Sequence, residues 1–546
     1  MNKKNLFCKV MGIGKKVLPF YLFTFLPLSM LAQDAVNLDT YIGAQLATED
    51  LNGTARYVGM GGAMEALGAD ISTIGTNPAG IGLFRRNQVS GLFGLVSQSE
   101  GKSFADGSKT NASFDQIGFV YSQRTGVSSF VNFAFNFHKS RNFNHVLSVA
   151  AQPVNGSSQN RQTYIKQIKW IESHGTLDGF ENALSTSMVD NLYYDTFVDE
   201  EGQSFYINGS SDEGKGYRFN RAQTGYIGEY DFNLSGNINN RVYLGVTVGV
   251  KGVHYNSYTQ YEEDLNPVSG DPNFMYVKMI DSHKITGTGF DVKAGIIVRP
   301  VDESPFRVGF SVATPTFYKL TTSNVTGIYD RVNGLVDCLL EKDDAADFRF
   351  NTPWKFGLSA GHTINNELAL GLSYEYADYS TIDMRSITGA GYDYWYGEYY
   401  DNSDSDPVMK EHAKRTLKGV STIKVGAEYK IDKNIAVRVG YNYASPMYKS
   451  DGVRDQTLNS PGTYMASTTD YTNWKSTNRL MAGVGFTFDQ FRIDLAYQYQ
   501  MREGDFYPYM NGLSGFDGVE TVTNLCNPVT VKDNRHQILC TLAYSF

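Results

Sequence analysis

The residues best equipped for chemistry in this chain are charges set singly inside apolar stretches. Arg438 interrupts the run Ile435, Val437, Val439, Tyr441; Arg492 and Asp494 interrupt Phe491, Ile493, Leu495, Tyr497; Lys424 and Glu428 lie among Val425, Ala427 and Tyr429. Lys293, Arg307 and Arg479 sit in similar company. An ammonium or guanidinium held in such a place can bind the anionic head of a small molecule, and Arg307, Lys424, Arg438 and Arg492 are the candidate headgroup contacts. Catalysis is not what these residue types suggest. There is no His-Glu-x-x-His, and His174, His283 and His412 fall in expected loops. No enzyme, no cofactor and no metal site is expected. Beyond Cys8 near the start, three cysteines remain, an odd number that makes no disulfide framework, although Cys338 and Cys526 could bridge two loops.

The elements that position these charges read with period two. Ile435, Val437, Val439, Tyr441 and Tyr443 alternate with Ala436, Arg438, Gly440 and Asn442; Leu368 to Tyr376 and Ile538 to Phe546 behave likewise. These runs last about ten residues, the length a tilted strand needs to cross a bilayer core, whereas strands of soluble proteins average about five or six. A Lys or Arg on the lipid face would cost about 2–4 kcal/mol at the midplane, so Lys424, Arg438 and the carboxylates Glu375, Glu428 and Asp494 must face a wet lumen.

Fourteen strand candidates begin near Gln88, Phe114, Phe130, Gly225, Arg241, Gly287, Phe306, Trp354, Leu368, Thr422, Asn434, Arg479, Phe491 and His536. Even-numbered connections are turns such as Asn239-Asn240 and Asn365-Asn366. Odd-numbered ones are mostly long, for example Pro153 to Asn220, Tyr258 to His283 and Tyr318 to Asn351. An even number of strands with short turns at one end and long loops at the other is the pattern of an outer-membrane barrel with periplasmic termini. The fold class is therefore all-β, a 14-stranded antiparallel transmembrane β-barrel over residues 87–546. Tyr374, Tyr376, Tyr441, Tyr443, Tyr497 and Tyr499 fall where an outer aromatic girdle belongs.

Composition agrees. Among 546 residues, 37 are Tyr, 33 Phe and 54 Gly against 4 Trp, and 48 basic residues face 57 acidic ones. A net charge of −9 without any Lys/Arg run gives nucleic acid nothing to bind. Residues 1–33 read as a signal peptide, with Lys3, Lys4, Lys9, Lys15 and Lys16 before an apolar stretch and a cleavage-like Leu31-Ala32-Gln33. Without those five lysines the exported chain carries −14.

Residues 34–86 show no alternation and are too apolar for a disordered tail. Gly59, Gly61 and Gly62 permit close backbone approach, and Asp70 and Asn77-Pro78-Ala79-Gly80 carry turn signals. A barrel of fourteen strands leaves an aqueous hole, and this segment is a suitable N-terminal hatch, or plug, for it. The glycine-rich stretch followed by Asp70-x-Ser72-Thr73 and Asn77-Pro78-Ala79-Gly80 resembles the hatch of the outer-membrane long-chain fatty acid and hydrophobic compound transporter family, the FadL/TodX type. Pro353-Trp354-Lys355-Phe356-Gly357 and Lys424 to Tyr443 extend the resemblance, which does not cover Pro153 to Asn220. It implies passive uptake of hydrophobic small molecules through capture by extracellular loops, a hatch rearrangement and lateral exit into the bilayer. The candidate capture loop follows the third strand, where Ile168, Trp170, Ile171, Phe180 and Leu184 give a broken amphipathic pattern. Expected partners are the hydrophobic ligand, outer-membrane lipid and lipopolysaccharide, and the barrel-assembly machinery through the C-terminal Phe546, with the protein a monomer. The alternatives are a haem or aromatic-ligand receptor on the same barrel, or a general porin.

Overall fold

The computed structural model describes residues 40–152, 194–198, 204–208, 213–266, 276–332, 335–393, 395, 398–454, 470–509, 512–514, 521–523 and 527–546. The signal peptide, the capture loop residues Ile168, Trp170, Ile171, Phe180 and Leu184, and Cys526 lie outside them.

Fourteen staves form the wall. They are β1 (Gln88–Gln98), β2 (Thr110–Arg124), β3 (Phe130–Asn142, resumed at His145–Ala151), β4 (Glu213–Ile238), β5 (Val242–Asn266), β6 (Tyr276–Val298) and β7 (Arg307–Ala313, resumed at Phe317–Val332). The circuit continues through β8 (Leu335–Asn351 and Lys355–Ile364), β9 (Leu368–Asp378 and Asp383–Asp393), β10 (Glu398–Ser405 and Gly419–Lys430), β11 (Ile435–Ala444), β12 (Tyr471–Phe488), β13 (Phe491–Tyr507) and β14 (Val529–Lys532 and Arg535–Ser545). Each pairs antiparallel with the next, and β1 pairs with β14 from Gln88↔Ser545 to Gln98↔Arg535, so the sheet closes. Closure matters because an open edge in hydrocarbon would leave backbone groups unsatisfied.

All fourteen expected strands are present, and the short turns fall as read: Asn239, Asn240, Asn365 and Asn366 each adopt positive φ, the conformation a two-residue hairpin turn requires. The difference lies at the other end. β4, β5 and β6 run 26, 25 and 23 residues, so much of the tract from Tyr258 to His283 expected as loop is strand. Alternation of apolar with polar marks only the part of a stave that meets lipid on one side. Above it both faces are wet, the period fades, and hydrogen bonding between staves carries on unannounced.

Alternation orients the wall as expected. Val439, Leu372, Leu542 and Phe232 are about half exposed on the outside, while Arg438, Lys424, Glu428 and Asp494 are buried within. An apolar exterior around a polar interior is the arrangement of an outer-membrane barrel.

Inside the wall lie residues 40–86, folded as α1 (Thr40–Ala47), α2 (Ala55–Gly59) and two 3₁₀ turns, Ile71–Gly75 and Pro78–Leu83. Strand glycines make room for them. Gly361, Gly371, Gly426 and Gly440 stand in register across β8, β9, β10 and β11, and a Cβ at Gly371, Gly426 or Gly440 would collide with the backbone of Ala63, Met60 or Gly61. A second seat, Gly245 opposite Gly295, receives Asn77 and Pro78 in the same way. Ala55, Val58, Met60 and Met64 then complete an apolar core against Leu92, Met481, Ala496 and Leu539 of the wall.

Candidate ligand cavity

The interior segment is bound to the wall by charge as well as by fit. Arg56 donates to both carboxylate oxygens of Glu428 at 2.8 Å, Glu428 also accepts from Arg438 at 2.6 Å, and Arg438 Nη1 lies 2.8 Å from Asp494, which pairs in turn with Arg492 at 2.7 Å. Lys424 donates to Glu65 at 2.7 Å, and Glu49 accepts from Lys251 at 2.8 Å and also pairs with Lys355. The sequence-derived headgroup cations are thus placed among protein partners. Arg438 and Arg492 share Asp494, Lys424 is paired with Glu65, and Arg307 donates to the carbonyl of Leu67 at 3.1 Å.

The turn residues of the segment have local work. Gly61 and Gly62 take φ of +68° and +78°, where a side chain would be strained. Asp70 accepts from the Thr54 hydroxyl and the Ser72 amide, and Asn77 caps the second 3₁₀ turn by accepting from the Ala79 amide at 3.2 Å. Pro78 passes its carbonyl to Ser235 of β4 at 3.0 Å, and Gly80 packs on Thr73, which a Cβ would strike.

Between α1 and the upper wall is a cavity of about 330 Å³, within the range of sites that bury a small organic ligand. Aromatic rings form part of its lining: Tyr41 stacks on Tyr448 with centroids 5.2 Å apart, and Phe143, Tyr379 and Trp474 also line it. Nine basic and six acidic side chains border it. Six of the cations are arginines, and four of these come from four staves of the wall: Arg141 of β3, Arg479 of β12, Arg502 of β13 and Arg535 of β14. Of the four sequence-derived contacts, Lys424 reaches this cavity; Arg479 was visible in the sequence as a cation in apolar company. Arg141, Arg502 and Arg535 sit where the alternation has ended, and only continuing the inward parity of Asp494 and Gln498 upward along β13 would have flagged Arg502.

The cavity reaches a break in the wall. β2 and β3 pair from Arg124↔Phe130 up to Gln116↔His138 and no further, although β1 follows β2 to Ser97↔Thr110 and β4 follows β3 to Ala151↔Tyr217. The ladder of β3 against β4 is irregular between Lys139 and Arg141. The interior segment supplies the missing partners: the Asp50 amide donates to the Ser140 carbonyl at 2.8 Å, Asn52 Nδ2 to the Lys139 carbonyl at 2.9 Å, and the Asp50 carboxylate accepts from the Asn142 amide at 2.8 Å and from Arg141 at 2.6 Å. Burial acts to raise the Asp50 carboxyl, but Arg141, Arg535 and the Asn142 amide hold it below its ordinary value, so the latch is a carboxylate.

His138, Glu229 and Asp231 bring ligand atoms within 4.8 Å of one another. Two ammonium groups already serve these carboxylates. Lys293 binds Glu229 and lies 3.1 Å from Asp231, and Lys251 lies 3.3 Å from Glu229 and 3.1 Å from Asp291. The carboxylates of the cluster are thus already paired with lysine.

No family model and no curated protein matches the chain. Among solved structures it is similar to a FadL homologue of Pseudomonas aeruginosa (13% identity, 92% of this chain and 99% of that one, TM-score 0.48). It is likewise similar to the toluene transporter TodX of Pseudomonas putida (14%, 91% and 98%, 0.43) and to the monoaromatic hydrocarbon channel CymD (11%, 91% and 98%, 0.46).

Proposed function

We propose that the protein is an outer-membrane channel of the FadL/TodX type for passive uptake of amphiphilic hydrophobic molecules. The observation that carries this reading is the coincidence of three features: an aromatic cavity bordered by arginines, an interior segment that forms one of its sides, and a lapse in the wall pairing that the same segment covers. Residues 34–86 act as the hatch. The motif Gly59, Gly61, Gly62, Asp70, Asn77, Pro78, Ala79 and Gly80 keeps its lower part seated while the turn at Asp50 and Asn52 moves. Cargo captured by the outer loops, including Ile168, Trp170, Ile171, Phe180 and Leu184, enters the cavity and leaves sideways between β2 and β3 when that turn withdraws. Each methylene moved from water to an apolar site gains about 0.8 kcal/mol, so transfer down a gradient between such sites needs no energy input.

Among the sequence-derived cations, Lys424 touches the head of the cargo, while Arg307, Arg438 and Arg492 hold the hatch. Phe546, exposed at the end of β14, is the handle for the barrel-assembly machinery, and lipopolysaccharide surrounds the monomer. The test is uptake of a fluorescent fatty acid into proteoliposomes, with single-channel recording in parallel. Uptake at low conductance supports a hatched carrier. A large steady conductance in the intact protein would make it a general porin, and a Soret shift on haem titration would favour a haem receptor.

A further inference from the structure

We propose that the arginine end of the cavity selects cargo whose head carries two negative charges, a phosphomonoester or its equivalent on an apolar tail, over cargo with one. The proposal rests on the amphiphile-channel reading and adds the class of head. Arg141, Arg479, Arg502 and Arg535 border the cavity together. Two carboxylates serve them: Asp50 pairs with Arg141 at 2.6 Å, and Asp533 accepts from Arg502 and, at 2.8 Å, from Arg535. Arg479 donates to Gln500 Oε1 and Asn442 Oδ1, each at 2.9 Å. Both of those partners are neutral, and among the described residues no carboxylate lies within ion-pair distance of Arg479.

Four guanidinium groups facing two carboxylates leave a surplus of two positive charges. The donors are not exhausted either. Nε of Arg141, a residue 8% exposed, and Nε of Arg502 are buried without a hydrogen-bond partner. Unpaired charge in a partly dehydrated site is costly, and a dianion with three acceptor oxygens answers both the charge and the open donors. A monocarboxylate answers half of the charge. The neighbouring surface suits the start of a tail, because Arg502 lies over the Trp474 ring at 4.2 Å from its centroid and Phe143 and Tyr41 border the same space.

The experiment is calorimetric titration of the protein in zwitterionic nanodiscs at pH 8, with empty nanodiscs as blank, using octyl phosphate, octyl sulfate, octanoate and inorganic phosphate. A phosphomonoester is a dianion at that pH, and octyl sulfate keeps the tetrahedral shape with one charge. Octyl phosphate should bind at least about tenfold more tightly than octyl sulfate or octanoate, a difference of about 1.4 kcal/mol. Arg479→Gln should bring octyl phosphate down to the affinity of octyl sulfate, and Arg479→Lys should keep most of the preference. Equal affinities for the three octyl ligands overturn the dianion proposal and leave the amphiphile channel standing. Inorganic phosphate binding as tightly as octyl phosphate shows an ion site to which the tail adds nothing, which overturns the amphiphile reading and this proposal with it. Binding by none of the four overturns both.

Discussion

The interior segment meets the wall in two ways. Against β8 to β11 it lies backbone on backbone, in a trough of glycines that fits residues 60–63 and no thicker chain. Against β3 it is held by polar contacts from Asp50 and Asn52 to Lys139, Ser140, Arg141 and Asn142. A steric seat resists displacement until much of the interface separates, whereas a polar latch exchanges its hydrogen bonds for water one at a time. One side of the interior segment is therefore built as a fixed anchor and the other as a part that can let go.

Substitutions that disturb the anchor should cost most. Glu428→Gln takes the carboxylate from Arg56 and Arg438, and loss of one partner in a buried ion pair costs about 3–5 kcal/mol; thermal unfolding in detergent should show a large fall, and an unchanged midpoint would remove Glu428 from the anchor. Gly440→Val puts a side chain where Met60 and Gly61 lie, an overpacking of about 1–3 kcal/mol. Here the expected readout is an unseated segment and raised single-channel conductance, with wild-type conductance counting against the glycine trough. Asp50→Asn should cost less, about 1–2 kcal/mol, yet change transport more than it changes stability. Faster exit of cargo with a barely altered unfolding midpoint is the signature of a latch, and slower exit would contradict it. Asn77→Ala, which loses only a cap of about 1 kcal/mol, should shift the midpoint slightly and leave exit rates alone.

How much of this could be read from the sequence follows from where a residue stands relative to lipid. Ile435 to Tyr443 face hydrocarbon on one side and water on the other, so the alternation gave both strand and parity, and with them the inward placement of Arg438. Arg141, Arg502 and Arg535 lie above that zone, where polar residues suit either face and the hydrophobic alternation gives no signal of its own. The partners of the lumen cations were also beyond reach, because Glu428 meets Arg56 across 372 positions of sequence. For the glycines the position was reversed. Gly371, Gly426 and Gly440 were visible as small residues on inward faces, but their common row depends on register, which no single strand specifies.

The great length of β4, β5 and β6 has a consequence for access. At about 3.3 Å per residue and a tilt near 40°, a stave of 25 residues rises about 60 Å, whereas the apolar belt of such a barrel is about 25 Å tall. The wall at β4 to β6 therefore rises well beyond the apolar belt, whereas β1 and β11, at 11 and 10 residues, end near its rim, so the tube is cut obliquely and stands open lowest along those two staves.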